Sequence, residues 1–337
     1  MTVALRVVLD QLAAPDDDDL AEASRGLARM LVDAAPSGCV VEAIAPAGAP
    51  LGVEGLRAEH RVARGRRELQ IAWRMGRPRG AEAGLVHSPT LLAPLAKHAR
   101  PAQTAVTLWG GEAGGLHEAL RARAERFADA VIVPSHALAA LLSARFGDRV
   151  RVIAGAPPEG FGVPSDAHAR RRDLGLPGEY LAAAWDDGVD DTLRAAAALR
   201  RDVVLLGAPD AAHAHARAAD AGLDATRLHV HGALDRGDRA AVLDHAAAFI
   251  AGADTAAWPW RVLEALAVGT PVVARDSAVH REVVADGGHV VAVDDLADAV
   301  RAVDGERERM GVRAHDRGRA FSWRGAAQQV WQLHAEL

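Results

Sequence analysis

A chain of 337 residues, half of them hydrophobic and a quarter charged, is long enough for about two globular domains with separate cores. A net charge of −6 argues against general nucleic-acid binding, and a single cysteine, Cys39, excludes an internal disulfide and a thiolate metal cage. No apolar run is long enough to span a bilayer, and the N-terminus MTVALRVVLDQL lacks the basic start and long apolar core of a signal peptide, so the expected address is the cytoplasm. Lys97 is the only lysine, which excludes ammonium-dependent chemistry beyond it.

In chain order, Ala4 to Leu9 predicts a strand and Leu20 to Ala34 an amphipathic helix with Leu27, Met30 and Leu31 on one face. Between them, Asp16-Asp17-Asp18-Asp19 reads as a cap that favourably charges the helix start; the sharper alternative is a cation or cationic-acceptor site. Cys39 to Ile44 predicts a second strand. Arg57 to Arg79 then carries eight arginines with Trp73 among them, either a solvated face or a surface for an anionic or lipid-linked acceptor. Further strands are predicted near Leu85–Ser88, Thr104–Leu108, Phe127–Ser135 and Arg149–Ile153. The loop Trp109-Gly110-Gly111-Glu112-Ala113-Gly114-Gly115 follows the Thr104 strand.

Residues 161–178, rich in Gly, Pro and charge, read as a linker between an N-terminal domain over 1–160 and a second over 179–320. The second domain opens with a strand over Tyr180–Ala184, an acidic loop Trp185–Asp191, and a helix over Leu193–Leu199. Strands over Asp202–Gly207 and Leu228–Gly232 follow, alternating with Ala-rich helices. His229 and His231 share one face of a strand, but no Asp, Glu or Cys stands at ligand spacing, so no metal is assigned to them or to His213 and His215.

The stretch Ala246 to Glu282 is the most informative. Ala247–Ala251 reads as a buried strand, Val262–Val268 as a helix stopped by Gly269, and Thr270–Ala274 as a second strand. A βαβ unit of this kind places its two strands parallel, with ligands expected beyond their carboxyl ends, at the loop Gly252–Arg261.

This stretch resembles the nucleotide-sugar half of family 4 retaining glycosyltransferases, whose pattern is roughly P-S-x-x-E-G-F-G-L-P-x-x-E-A-x-A-x-G-T-P-V-V-A. The chain keeps Glu264-Ala265, Ala267 and Gly269-Thr270-Pro271-Val272-Val273-Ala274. It departs in the first half: Ala256 stands for the leading glutamate and Ala257-Trp258-Pro259 for Gly-Phe-Gly. Leu85–Pro89, Phe127–Ser135 and Phe321-Ser322-Trp323 also resemble family segments. The resemblance implies the α/β GT-B architecture, two Rossmann-like parallel-sheet domains facing a cleft, with a C-terminal helix over 321–337 crossing back to the first.

It further implies a nucleotide-sugar donor bound by the second domain, with Glu264 accepting from the ribose hydroxyls and Gly232, Leu263, Arg261 and Arg275 on the donor side. On the acceptor or cleft side it places His87, Trp109, Glu112, Trp258 and Trp260. No cofactor or metal is implied, because the departing phosphate of the donor takes the acceptor's proton. Three departures strike donor contacts: Asp16–Asp19 replaces a glycine-rich turn, the acidic loop lacks the family's Arg and Lys, and Pro259 removes a backbone N–H. Two functions follow as expectations: retaining sugar transfer to an unknown acceptor, at the inner face of a membrane if that acceptor is lipid-linked, or a catalytically silent relative serving as a binding or partner subunit.

Overall fold

The structure, a computed structural model, describes residues 2–15, 17–77, 84–97, 102–110, 115–254 and 256–337. They form two compact units, Met1–Glu159 with Ser322–Leu337, and Gly160–Phe321.

Unit 1 is built on a parallel sheet of β1 (Val3–Val8), β2 (Cys39–Pro46), β3 (Glu59–Ala63), β4 (Leu85–Ser88), β5 (Gln103–Thr107), β6 (Ala130–Val133) and β7 (Val150–Val152). Their spatial order is β3-β2-β1-β4-β5-β6-β7, a doubly wound arrangement whose direction reverses between β1 and β4. The central strands are continuous apolar runs because helices cover both faces of such a sheet. Asp17, outside the first helical turn, accepts the Leu20 N–H at 3.0 Å and caps the helix Asp18–Asp33, so the aspartate run acts there as helix-start charge; Asp16 lies outside the described residues. The arginine-rich stretch forms edge strand β3 and a helix over Arg66–Arg74, neither foreseen from its composition; Arg79 lies outside the described residues.

The helix Trp323–Glu336 belongs to unit 1 and packs on Asp18–Asp33. Its Trp323 Nε1 donates to the Pro157 carbonyl at 2.8 Å and its Trp331 Nε1 to the Leu31 carbonyl at 3.0 Å. Gly26 lies beneath the Trp323 indole so closely that a Cβ there would sit 2.6 Å from the ring.

Unit 2 carries β8 (Leu181–Ala184), β9 (Val203–Leu206), β10 (Leu228–His231), β11 (Phe249–Ala251), β12 (Val272–Arg275) and β13 (Gly288–Val291). All are parallel in the order β10-β9-β8-β11-β12-β13, reversing between β8 and β11. Two expectations change here. The stretch 161–178 contains a helix, Ala167–Asp173, tied to the helix Arg236–His245 by Arg170, which reaches Asp238 at 2.7 Å while also bonding Asp166. Within the acidic loop, Asp190 and Asp191 are the first turn of a helix, Val189–Leu199, where negative charge meets the positive end of the dipole. The helices Ala278–Val284 and Arg307–Gly318 complete the layers around β12 and β13.

In unit 1, His87 on β4 and His334 on the last helix are both buried, their rings 6.0 Å apart and edge to face. Burial first, then its neighbour His334, holds His87 down to about 3; burial holds His334 down to about 4. Both folded values lie below the unfolded one, so the unfolded chain binds more protons as pH falls below the usual histidine range. The stability of unit 1 is therefore fully present above about pH 6.5 and lost as pH falls toward 4, at about 1.4 kcal/mol per pH unit for each histidine. Urea unfolding at pH 7, 6 and 5 should show this slope, and His87→Leu should remove about half of it; an unchanged slope in the variant would mean that His87 does not contribute.

Candidate functional site

The reversal point of a doubly wound sheet is where ligands of such folds bind, beyond the carboxyl ends of the strands. In unit 2 that point lies between β8 and β11, and three groups of residues meet around it.

The first is centred on Glu264, on the inward face of the helix Trp260–Ala267 that follows the β11 loop. Its carboxylate is fully buried and carries two guanidinium partners. Arg239, from the helix Arg236–His245, places Nη2 2.8 Å from Oε1 and Nε 3.1 Å from both oxygens, and its Nη1 donates to the Leu234 carbonyl. Arg261, one turn before Glu264 on its own helix, places Nη1 2.6 Å from Oε1. One negative and two positive charges leave the cluster net positive, beside a helix N-terminus that adds about half a positive charge. Arg239 was not foreseen: its partner lies 25 residues away and no local motif joins them.

The second group is acidic. Asp186, after β8, accepts the Gly188 N–H at 2.8 Å; burial pushes its carboxyl up to about 6, the Gly188 N–H opposes this, and the Asp187 charge adds to it. Arg275, at the end of β12, is held by Asp191 at 3.1 Å and Asp254 at 2.9 Å. The cation that the sequence offers for a diphosphate is thus already held by two of the protein's own carboxylates, one of which, Asp191, also pairs with Arg194.

The third is steric. A Cβ on Gly188 would sit 2.0 Å from the Ala253 nitrogen and the Gly252 carbonyl carbon, and one on Gly252 would sit 2.2 Å from the Gly188 oxygen. The β8 and β11 loops therefore touch backbone to backbone across the reversal point.

The remaining sequence candidates are placed as follows. Leu263 is buried in the core, and Gly232 follows edge strand β10, with β9 and β8 between it and β11. Trp258 is buried with its ring edge to face on Phe321 at 5.9 Å, and the Arg317 guanidinium lies 4.8 Å over that same Phe321 ring; Trp260 is half-buried and opens the helix. Trp258 is therefore a core aromatic of unit 2. In unit 1, His87 and Trp109, expected on the acceptor or cleft side, are both buried. Trp109 donates Nε1 to the Pro89 carbonyl at 2.8 Å and packs edge to face on Trp323 at 6.2 Å. His87 lies deep beside it, and the cavity these residues share with the last helix is about 10 Å³, space for about one water molecule and none for a sugar. Glu112 lies outside the described residues.

Glu159-Gly160-Phe161-Gly162-Val163-Pro164 repeats the order E-G-F-G-[LV]-P of the pattern's leading half at an unexpected place. Gly160–Pro164 lines an open depression of about 520 Å³ with Arg170 and Arg236, while the Glu159 carboxylate bonds Arg29 in unit 1. Among the described residues, no group of three or more His, Cys, Asp or Glu could hold a metal ion.

The closed reversal point has a direct test. Gly188→Ala should destabilise unit 2 by about 3 kcal/mol, because the clash is with backbone that no rotamer can relieve. Urea unfolding checks this, and an unchanged midpoint would mean that the two loops stand apart in solution.

Residues 171–304 match the family described as glycosyl transferases group 1. No curated protein matches the chain. Among solved structures, the chain is similar to a sucrose-phosphate synthase from Thermosynechococcus elongatus (TM-score 0.72, 18% identity, covering 99% of this chain and 98% of that one). It is also similar to WaaG, a glycosyltransferase involved in lipopolysaccharide biosynthesis (TM-score 0.65, 13% identity, 97% and 98%). A third is an O-GlcNAc transferase mutant from Thermobaculum terrenum (TM-score 0.65, 14% identity, 98% and 69%). At these identities the likeness speaks for the fold. The chain has the GT-B fold, and its second unit carries the segment similar to the glycosyl transferases of group 1.

Proposed function

We propose that the protein is a glycosyltransferase that moves a sugar from a nucleotide-activated donor to an acceptor with retention, the donor being held in unit 2. The observation that carries this reading is the placement of Glu264. It stands on the helix that follows β11, where the pattern puts the ribose-binding carboxylate, inside a cluster whose net charge is positive. A carboxylate offers about four acceptor sites, and Oε2 takes only the shared Arg239 Nε contact, so it retains capacity for a ribose hydroxyl. Because Glu264 is fully buried, this reading requires the residues just before its helix, 256–259, to move aside when the donor binds. Arg239 and Arg261 then face the diphosphate and stabilise charge on the leaving group, in place of the family's Arg and Lys. Losing one such preorganised donor typically costs roughly 3 kcal/mol of barrier. The acceptor is unassigned; an anionic or lipid-linked one presented to the arginines of 57–79 fits this reading.

A second reading, a catalytically silent relative that serves as a binding or partner subunit, is favoured by a different observation. Arg275 is neutralised by Asp191 and Asp254, Asp186 and Asp187 stand at the end of β8, and Gly188 touches Gly252. A diphosphate there would meet carboxylates in a space already filled by backbone.

Calorimetric titration with UDP-, GDP- and ADP-glucose separates the two. Saturable binding of one of them, lost in Glu264→Gln under conditions in which circular dichroism shows that the less stable variant is still folded, is the expected result for an enzyme. No heat from any of the three would leave the second reading standing.

A further inference from the structure

We propose that Trp258, seated on Phe321, is a latch that holds the segment 256–259 shut over Glu264, so that a nucleotide binds only when the latch releases. This rests on the donor reading above and adds to it what keeps the site closed.

The anchor of the latch is fixed. The helix Arg307–Gly318 lies against the helix Trp260–Ala267 so closely that a Cβ on Gly318 would meet the Leu266 carbonyl group at 2.8 Å. Arg317, in its last turn, donates Nε to the Val283 carbonyl at 2.9 Å and Nη2 to the Glu282 carbonyl at 2.6 Å. The same guanidinium lies over the Phe321 ring and holds it in place. Trp258 then meets that ring edge to face, at an interplanar angle of 69°, the arrangement that aromatic quadrupoles favour.

The segment that the latch holds is light. Across 256–260 Trp258 is the one buried side chain, and Ala256, Ala257, Pro259 and Trp260 are half-buried. The closed position is also incomplete. Trp109, Trp323 and Trp331 each donate their indole N–H to a backbone carbonyl, whereas that of Trp258 is buried and meets no acceptor among the described residues. A buried donor left unmet opposes the closed position and regains a partner in water when the segment swings out. Aromatic packing thus favours closure and the indole N–H opposes it, which suits a segment that must open and shut. While it is shut, Glu264 has no exposed surface for a ribose to reach. The apparent affinity for a nucleotide is then the intrinsic affinity scaled by the fraction of molecules in which the segment stands open. A tryptophan that served only to fill the core would alter the stability of unit 2 and leave that affinity alone.

Hydrogen exchange and calorimetry on the full chain test the latch together. The amides of Trp260 and Leu263 bond the Trp258 and Pro259 carbonyls at 3.0 and 3.2 Å, so exchange in the peptide 256–263 reads the opening of the segment. Phe321→Leu removes the ring pair at a half-buried position. Such a pair is worth about a fivefold factor, so exchange there should quicken about fivefold. Affinity for whichever of UDP-, GDP- and ADP-glucose binds should rise by the same factor. Phe321→Tyr keeps the ring and should match the wild type in both readouts; Phe321→Met is the substitute if the leucine variant does not fold. Unchanged exchange in the variant, or faster exchange with equal affinity in both proteins, would overturn the latch and leave the donor reading standing. No binding of any of the three by either protein would overturn both.

Discussion

Unit 2 depends on one buried carboxylate held by two guanidiniums. Glu264 contributes a full charge to the interior of a helix layer, and such a group is tolerated only when its lone pairs are met. Arg239 and Arg261 meet them from two different helices, so the pairing also fixes how the helix Arg236–His245 lies against the helix Trp260–Ala267. Trp258 stands two residues before the second of these helices and packs on Phe321.

The same bonds give the site its character. A carboxylate already shared by two arginines is a weaker acceptor for a ribose than a free one, but it carries its own cations to a place where the loop after β8 supplies none. The acidic turn at Asp186–Asp191 and the Gly188–Gly252 contact push the other way, filling the reversal point and balancing Arg275. Sugar transfer requires the cluster to outweigh the closure. Two opposed features, each with named residues, therefore frame the function.

Much of the fold was legible because both sheets are parallel and covered on both faces, which writes each central strand as an apolar run such as Val203–Leu206 or Val272–Ala274. Gly269 and the G-T-P-V-V-A stretch marked the βαβ unit by local chemistry alone. Local signals failed where the pattern was masked by charge. The helix Arg66–Arg74 hides two core residues among arginines, and Asp190 and Asp191 resemble a loop although they open a helix. The site was less legible than the fold. Whether His87 and Trp109 face a ligand is decided by the helix Trp323–Glu336, more than 200 residues later in sequence, which covers both. Glu264 could be found from its motif, but its partner Arg239 could not, and neither could the two aspartates that claim Arg275.

The most direct test of the central claim is a double-mutant cycle between Arg239 and Glu264, using Arg239→Met, Glu264→Gln and the pair, read in the urea transition in which unit 2 unfolds. A buried, bidentate pair should show a coupling energy of about 2 kcal/mol or more. Additive effects, with coupling near zero, would contradict the account and place Glu264 in water, free of its arginines.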